Sequence, residues 1–256
     1  MKGINDFLFL FSSVLLSGFT LANNLIIENV SLPAGNQIQF DISWENSWYT
    51  NAEPNNWDAV WVFIKAQDCA TDEKAWEHVD LSVNSSDHSA GGVLQVDAVT
   101  DGKGVFIRRS AIGGGHIPST TITLQMQNTY NPANVNFEIM GIEMVYVLEG
   151  AFNVGGTTNL GSYSYAYSYG YGLKRNHEIS SEAQINAGVL NSPNNTTTGS
   201  VGYVPTVPAS FPKGYNGFYI MKYEISQEQY VRFLNLLNYT QQAMRTEFDP
   251  SSSAGT

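Results

Sequence analysis

A strict alternation of apolar and polar side chains is the feature that most constrains the fold of this chain. Ile38, Phe40, Ile42 and Trp44 alternate with polar neighbours, and this period of two predicts a strand with one buried face. By the same reasoning further strands are predicted at residues 93–99, 105–107, 120–126 and 135–139. Residues 59–64 are continuously apolar, which predicts a central strand covered on both faces.

Glycine-rich turns separate these segments. Asp101-Gly102 is typical of a hairpin, because glycine accepts a positive φ without steric cost. The Gly113-Gly114-Gly115 run is interpreted as a second turn. Short strands joined in this way, with no helical period between them, predict an antiparallel β-sandwich over residues 23–140.

The first 22 residues are typical of a secretory signal peptide. Lys2 precedes an apolar run, and Ala22 ends a small-residue stretch that is suited to cleavage. The run is shorter than the roughly 20 residues that a membrane-spanning helix needs, and no later segment is long and apolar enough to span. We therefore expect a protein that is secreted or lies in the periplasm or cell envelope, cleaved near Ala22 and not membrane-spanning.

Charge and cysteine content exclude several classes of protein. Lys plus Arg number 12 and Asp plus Glu number 23, which gives a net charge of −11. An acidic surface repels phosphate backbones, so nucleic-acid binding is excluded. The single cysteine, Cys69, excludes an intrachain disulfide and a cysteine-based zinc cluster. Export of a protein without a disulfide is typical of a bacterial envelope. The Cys69 side chain is expected to be buried, because a lone cysteine usually behaves as a small apolar residue.

Aromatic residues supply the candidate site residues. All five tryptophans lie between Trp44 and Trp76, and strand alternation predicts that Trp44 and Trp61 belong to the core. Trp48, Tyr49 and Trp57 lie around a polar loop. Exposed flat rings there could stack on sugar rings, so these three are candidate glycan contacts, with packing in the core as an equal alternative.

Charged residues give no catalytic or metal-binding motif. The histidines lack paired ligand spacing, and Asp58, Asp87, Asp97 and Asp101 match no calcium loop. These carboxylates are expected at the surface or in turns, and Arg108-Arg109 is expected to be a solvated strand end. No catalytic, cofactor-binding or metal-binding residue is assigned.

The second half of the chain has a different pattern. Strands are predicted on both sides of Gly150, within residues 142–152. Tyrosines alternate over residues 163–171, which fits one face of a strand or a flexible loop rich in Tyr, Ser and Gly. Residues 191–202 are typical of a linker. Ser226 and Gln229 form a capping box, and an apolar stripe follows at Tyr230, Phe233, Leu234 and Leu237, which predicts a helix over residues 226–237.

Several segments of this half resemble the formylglycine-generating (sulfatase-modifying factor) family. The first strand pair of that family's domain is similar to GIEMVYV (141–147) and FNVG (152–155). Its next strand and first helix are similar to FPKGY (211–215), GFYIMKYEIS (217–226), Tyr230 and residues 233–235. An exported sandwich before such a domain looks like envelope proteins of the Bacteroidetes group.

The resemblance implies a fold class and a domain division. We expect a mainly β protein, with an N-terminal antiparallel β-sandwich (23–140) followed by the truncated start of an α+β, C-type-lectin-like family domain (141–256). A Tyr-, Gly- and Asn-rich insertion is expected at about residues 156–205.

The resemblance also implies chemistry that this chain does not carry by itself. Active members of the family use a cysteine pair and copper to oxidise a sulfatase cysteine, and relatives use iron or are non-catalytic. The family's site positions are expected beyond Thr256, so the chain alone is predicted to be inactive. Three hypotheses follow: the N-terminal part of such an enzyme, with a sulfatase as partner; a non-catalytic envelope scaffold; or a polysaccharide-binding sandwich.

Overall fold

The computed structural model describes residues 24–34, 36–70, 75–154, 177–186 and 206–245. Two antiparallel sheets pack face to face around one apolar core, which confirms a mainly β protein with a sandwich-like N-terminal half. The predicted signal peptide, the tyrosine alternation at 163–171 and the segment 191–202 lie outside the described residues.

Twelve strands, one 3₁₀ turn and two short helices are present in the described ranges. In chain order they are β1 (Ile26–Ala34), β2 (Gln37–Tyr49), β3 (Asp58–Asp68), β4 (Trp76–His78), the 3₁₀ turn (Ser85–Asp87), β5 (Ser89–Ala90), β6 (Leu94–Ala98), β7 (Val105–Arg109), β8 (Gly113–Gln125), β9 (Val135–Val147), β10 (Phe152–Val154), β11 (His177–Ile179), β12 (Phe218–Met221), α1 (Gln227–Asn235) and α2 (Tyr239–Ala243). The first sheet has the order β1-β2-β8-β5, and the second has the order β12-β9-β3-β7-β6 with β4 also paired to β3.

The alternating residues of β2 form the centre of the core. Ile38, Phe40, Ile42 and Trp44 are all 0% exposed, as the period of two predicts. The strands predicted elsewhere in residues 59–139 are also present, and Gly102 adopts a φ of 68° between β6 and β7. The turn predicted at 113–115 is wrong, because these glycines begin β8 and pair with the end of β2.

Strand β3 is central in the second sheet, as predicted, but it is only partly covered on one face. Val60, Val62 and Ile64 point into the core and are 0% exposed. Trp61 and Phe63 point to the outer face and are half-buried, so the expectation that Trp61 belongs to the core is wrong.

Strand β9 joins the two halves of the chain. It pairs with β3 over residues 135–145 and with β12, on its other edge, over residues 144–147. The expected division at residue 140 therefore lies inside one strand, and a segment of the second half extends the second sheet. Along residues 135–143, no strand of the described ranges pairs with that other edge of β9.

The predicted helix is confirmed as α1, with its capping box. The Ser226 hydroxyl accepts from the Gln229 N–H at 3.1 Å, and the Gln229 side chain accepts from the Ser226 N–H at 2.9 Å. None of the residues of α1 is buried. Its apolar stripe is half-buried except for Tyr230, which is 40% exposed.

A carboxylate clasp ties residues 177–186 to the segment before β12. The Glu182 carboxylate accepts from the backbone N–H groups of Lys213, Tyr215 and Asn216 at 2.5, 2.8 and 3.1 Å. Gly214 has a φ of 81°, a conformation that glycine adopts easily and that turns the neighbouring N–H groups toward one acceptor. We call this arrangement the Glu182 clasp.

The Glu182 clasp should open in acid. The pKa of the Glu182 carboxyl lies below its ordinary value of 4.5, chiefly because the Lys213 N–H donates to the charged form. A lowered folded-state pKa means that the clasp is fully present above 4.5 and is lost as the pH falls through the lowered value. We expect the Tyr215 amide proton resonance to follow this transition in an NMR titration. Glu182→Gln should abolish the titration, and an unchanged titration in that variant would contradict the assignment.

Candidate functional site

Two clusters of side chains lie on opposite faces of the second sheet, where β3, β9 and β12 meet. Successive residues of a strand point to opposite faces, so the side chains of Trp57 and Asp58 lie in different clusters. The buried ion cluster, on the inner face, consists of Asp58, Arg109, Glu143 and Lys222. The aromatic cluster, on the outer face, consists of Tyr49, Trp57, Phe106, Tyr146 and Tyr219.

Asp58 is the centre of the buried ion cluster. It is 0% exposed, so the expectation of a surface carboxylate is wrong. Oδ2 accepts from the Trp44 indole N–H at 3.0 Å, and Oδ1 accepts from the Ser47 hydroxyl and the Trp48 backbone N–H, both at 2.9 Å. These donors satisfy a carboxylate that would otherwise be costly to bury.

Lys222 brings a positive charge into this cluster from the second half of the chain. Its Nζ lies 3.0 Å from Asp58 Oδ2 and 3.5 Å from Glu143 Oε2. The ammonium also donates to the Asn46 carbonyl at 3.0 Å. The Lys222 and Glu143 side chains are 7% and 9% exposed. A segment outside the predicted sandwich thus completes a charged site within it.

Arg109 is the second buried cation. It is 7% exposed, so the expectation of a solvated Arg108-Arg109 strand end is wrong. Its Nε donates to the Ser47 hydroxyl and its Nη2 to the Gly115 carbonyl, both at 3.0 Å. The Ser47 hydroxyl links this cation to Asp58, because it accepts from Arg109 Nε and donates to Asp58 Oδ1.

Trp57 is the centre of the aromatic cluster. Its ring stacks on Tyr146, with centroids 4.3 Å apart and planes 11° from parallel. The Arg108 guanidinium lies 4.8 Å from the same ring and comes from β7, on the opposite side of β3 from Tyr146. The indole N–H donates to the Tyr219 hydroxyl at 2.9 Å. The ring is therefore held within the protein from both flanking strands.

Tyr219 extends the cluster from β12 toward β7. Its ring stacks on Phe106, with centroids 3.8 Å apart and planes 14° from parallel. Burial raises the pKa of the Tyr219 phenol above its ordinary value of 10.0, so the hydroxyl is neutral at physiological pH and accepts the indole hydrogen bond. β12 is thereby fixed to the sandwich on both faces of the sheet.

Of the three aromatic residues singled out in the sequence, Tyr49 and Trp57 belong to the aromatic cluster and Trp48 lies beside the ion cluster; all three are half-buried. Tyr49 lies edge-on to Trp57, with centroids 5.5 Å apart. The Trp48 indole N–H donates to Asn56 at 2.9 Å, and Lys222 Nζ lies 4.7 Å from its ring. Trp48 thus contacts a member of the ion cluster, whereas Tyr49 and Trp57 share the aromatic one.

Sequence reasoning missed Asp58, Arg109, Lys222 and Tyr219 as site residues. A signal for two of them was available. Arg109 continues the inward alternation of Val105 and Ile107, and Asp58 stands one position before a continuously apolar strand. For Lys222, no spacing in the sequence indicates its partners, because Asp58 and Asn46 are more than 160 residues away and Glu143 lies on another strand.

Cys69 is exposed, so the expectation of a buried side chain is wrong; it lies in the turn that follows β3. The Asn136 side-chain amide donates to its sulfur at 3.1 Å. Within the described ranges, no group of three or more His, Cys, Asp or Glu side chains is arranged to hold a metal ion. In the same ranges, no helix has the length and apolar character needed to cross a membrane.

Comparison with known proteins gave no relative. No family model, no curated protein and no solved structure matches this chain. The proposed function therefore depends on the residues, their geometry and the resemblance of residues 141–155 and 211–235 to the formylglycine-generating family.

Proposed function

We propose that this chain is part of an exported protein of the formylglycine-generating type and that its own role is structural rather than catalytic. It holds the adjoining domain in a fixed orientation, which we call the platform role. The sandwich and the segment that resembles the family form one continuous unit. The observation that carries this proposal is the contact of Lys222 with Asp58, at 3.0 Å and almost fully buried. Lys222 belongs to the resembling segment GFYIMKYEIS, and Asp58 belongs to the sandwich.

A sheet pairing supports the same conclusion. Residues 218–221 of the resembling segment pair with residues 144–147 of β9, which continues into the sandwich. A domain that begins in this way has its orientation set by the sandwich, unlike a domain on a flexible linker. We infer that the sandwich acts as a fixed base that presents the adjoining domain to a sulfatase or to other envelope proteins.

Catalysis of the family type is not assigned to this chain. The resemblance implies a cysteine pair with copper, or iron in relatives, and this sequence contains one cysteine. Copper and iron are therefore assigned no ligands in this chain.

The test is an activity assay on the purified chain. We expect no formylglycine when the chain is incubated with copper, oxygen and a cysteine peptide derived from a sulfatase, with mass spectrometry as the readout. An active enzyme of the family, assayed in parallel, serves as the positive control. Formation of the aldehyde by this chain would contradict a structural role.

Glycan binding is the competing function, and Trp48, Tyr49 and Trp57 would carry it. Because the Trp57 ring is held by Tyr146 and Arg108, we expect a flat tryptophan-fluorescence titration across a panel of soluble polysaccharides. A saturable shift with one of them would instead favour a carbohydrate-binding sandwich.

A further inference from the structure

A groove runs along the side of the sandwich, between the start of β1, the open edge of β9 and the segment that leads into α1. Its volume is about 440 Å³. Leu25 and Ile27 line it on the β1 side and Ile139 and Gly141 on the β9 side. On the α1 side it is lined by residues 223–226, Glu228, Gln229 and Arg232. We call it the open-edge groove.

Backbone groups of β9 that face this groove have no backbone partner among the residues that the structure describes. The Glu143 carbonyl accepts from the Lys222 N–H at 2.8 Å, and the Tyr146 N–H donates to the Trp57 carbonyl at 3.0 Å. Odd-numbered residues of β9 therefore point their backbone groups away from β3, and even-numbered ones point toward it. Ile139 and Gly141 thus face the groove, and no described residue makes a backbone hydrogen bond to them from that side.

The inner wall of the groove is apolar. A Cβ placed on Gly141 would point into the sandwich and meet the Ile27 and Leu25 side chains at 2.9 and 3.0 Å. The absence of a side chain at Gly141 therefore lets these β1 residues lie close to the open edge. A strand paired with β9 here would direct alternate side chains onto Leu25 and Ile27.

The outer wall is acidic. Glu224 and Glu228 line it and are exposed, and neither forms an ion pair with any residue in the described ranges. Arg232 of α1 also lines the groove, but its charge is paired with Glu138 on the outer face of β9. That ion pair places α1 on the outer side of β9. The side chains of an added strand that do not face Leu25 and Ile27 would therefore meet the carboxylates of Glu224 and Glu228.

We propose that the open-edge groove binds an extended polypeptide segment that adds a strand to β9, with apolar residues at every second position and lysine or arginine between them. The unpaired backbone of Ile139 and Gly141 provides the main-chain hydrogen bonds of strand addition. The apolar inner wall and the acidic outer wall select the alternating side chains. This inference is independent of the platform role, because it requires neither the family resemblance nor the absence of catalysis.

The first test uses the ¹⁵N-labelled full chain and a synthetic peptide in which lysine alternates with valine. We expect the peptide to slow amide hydrogen exchange at Ile139 and Gly141 by at least about tenfold, because both N–H groups become paired. The same peptide with N-methyl groups at the pairing positions should give no protection. Equal protection by both peptides, or protection of neither amide, would overturn strand addition.

The second test reverses the acidic wall. Glu224→Lys with Glu228→Lys should weaken binding of the lysine–valine peptide about tenfold in fluorescence anisotropy, since two opposite charges become like charges. Glu178→Lys, on β11, serves as the matched control and should leave the affinity unchanged. Equal loss in both variants would overturn the assigned groove. Protection of Ile139 and Gly141 that grows with protein concentration, without peptide, would overturn it in favour of pairing with a second copy.

Discussion

Replacing Lys222 with methionine should lower the free energy of unfolding by about 3–5 kcal/mol, the usual cost of removing one partner from a buried ion pair. The ammonium lies 3.0 Å from Asp58 and 3.5 Å from Glu143, both nearly inaccessible to solvent. Methionine has a similar length but no charge, so both carboxylates would lose their shared cation. Asp58 would keep its three other donors, whereas Glu143 would lose the cation nearest to it.

Lys103→Met is the matched control. Lys103 also forms an ion pair, with Asp80 at 2.5 Å, but the two side chains are 51% and 38% exposed. Exposed pairs contribute about 0–1 kcal/mol, so this variant should unfold almost as the parent does. Urea denaturation followed by tryptophan fluorescence measures both variants. A loss for Lys222→Met no larger than that of Lys103→Met would mean that the ion cluster does not fix β12 to the sandwich.

The same experiment tests whether the two halves unfold together. All five tryptophans lie between residues 44 and 76, so the midpoint of their fluorescence transition reports unfolding of the sandwich. Trp48 and Trp57 also contact Lys222 and Tyr219, so the midpoint, and not the starting intensity, is the quantity compared. If the contact of Lys222 with Asp58 joins the two halves, Lys222→Met should lower the urea concentration at which the sandwich unfolds, although residue 222 lies outside the sandwich. The platform role requires this coupling, because a flexibly attached segment could not be oriented by the sandwich.

The local sequence pattern was sufficient to predict most strands of the sandwich and helix α1. The alternation that begins at Ile38 and the capping box at Ser226 are decided by neighbours in the sequence, and both are present. The turn predicted at 113–115 failed because glycine also occurs within strands, and here the three glycines pair with the end of β2. Local sequence does not distinguish these two uses of glycine.

The candidate site was predicted only in part. Tyr49 and Trp57 were singled out, but the ring of Trp57 is fixed by Tyr146 and Arg108, which come from other strands. The ion cluster depends on pairings between residues far apart in the sequence, such as Lys222 with Asp58. Polar residues in strands are usually solvated, so a buried carboxylate and its cation become recognisable only when the sheet register is known.

Trp57→Ala should lower the free energy of unfolding by about 3–5 kcal/mol, the range for removing a large packed aromatic side chain. The change removes the stack on Tyr146, the contact with Arg108 and the hydrogen bond to the Tyr219 hydroxyl. Tyr219 lies on β12, so the loss weakens the attachment of β12 on the outer face. Thermal unfolding followed by circular dichroism provides the measurement.

Trp57→Phe separates packing from hydrogen bonding. Phenylalanine keeps an aromatic ring against Tyr146 but removes the indole N–H. The free energy of unfolding should therefore fall by about 0.5–1.5 kcal/mol for the lost hydrogen bond and by about the same amount for the smaller ring. Near-parental stability of Trp57→Ala, together with lost binding to a polysaccharide, would instead assign Trp57 to glycan contact. Loss of stability without any glycan effect would assign it to holding β12, since a ring that is fixed from both flanking strands has no free face to offer a sugar.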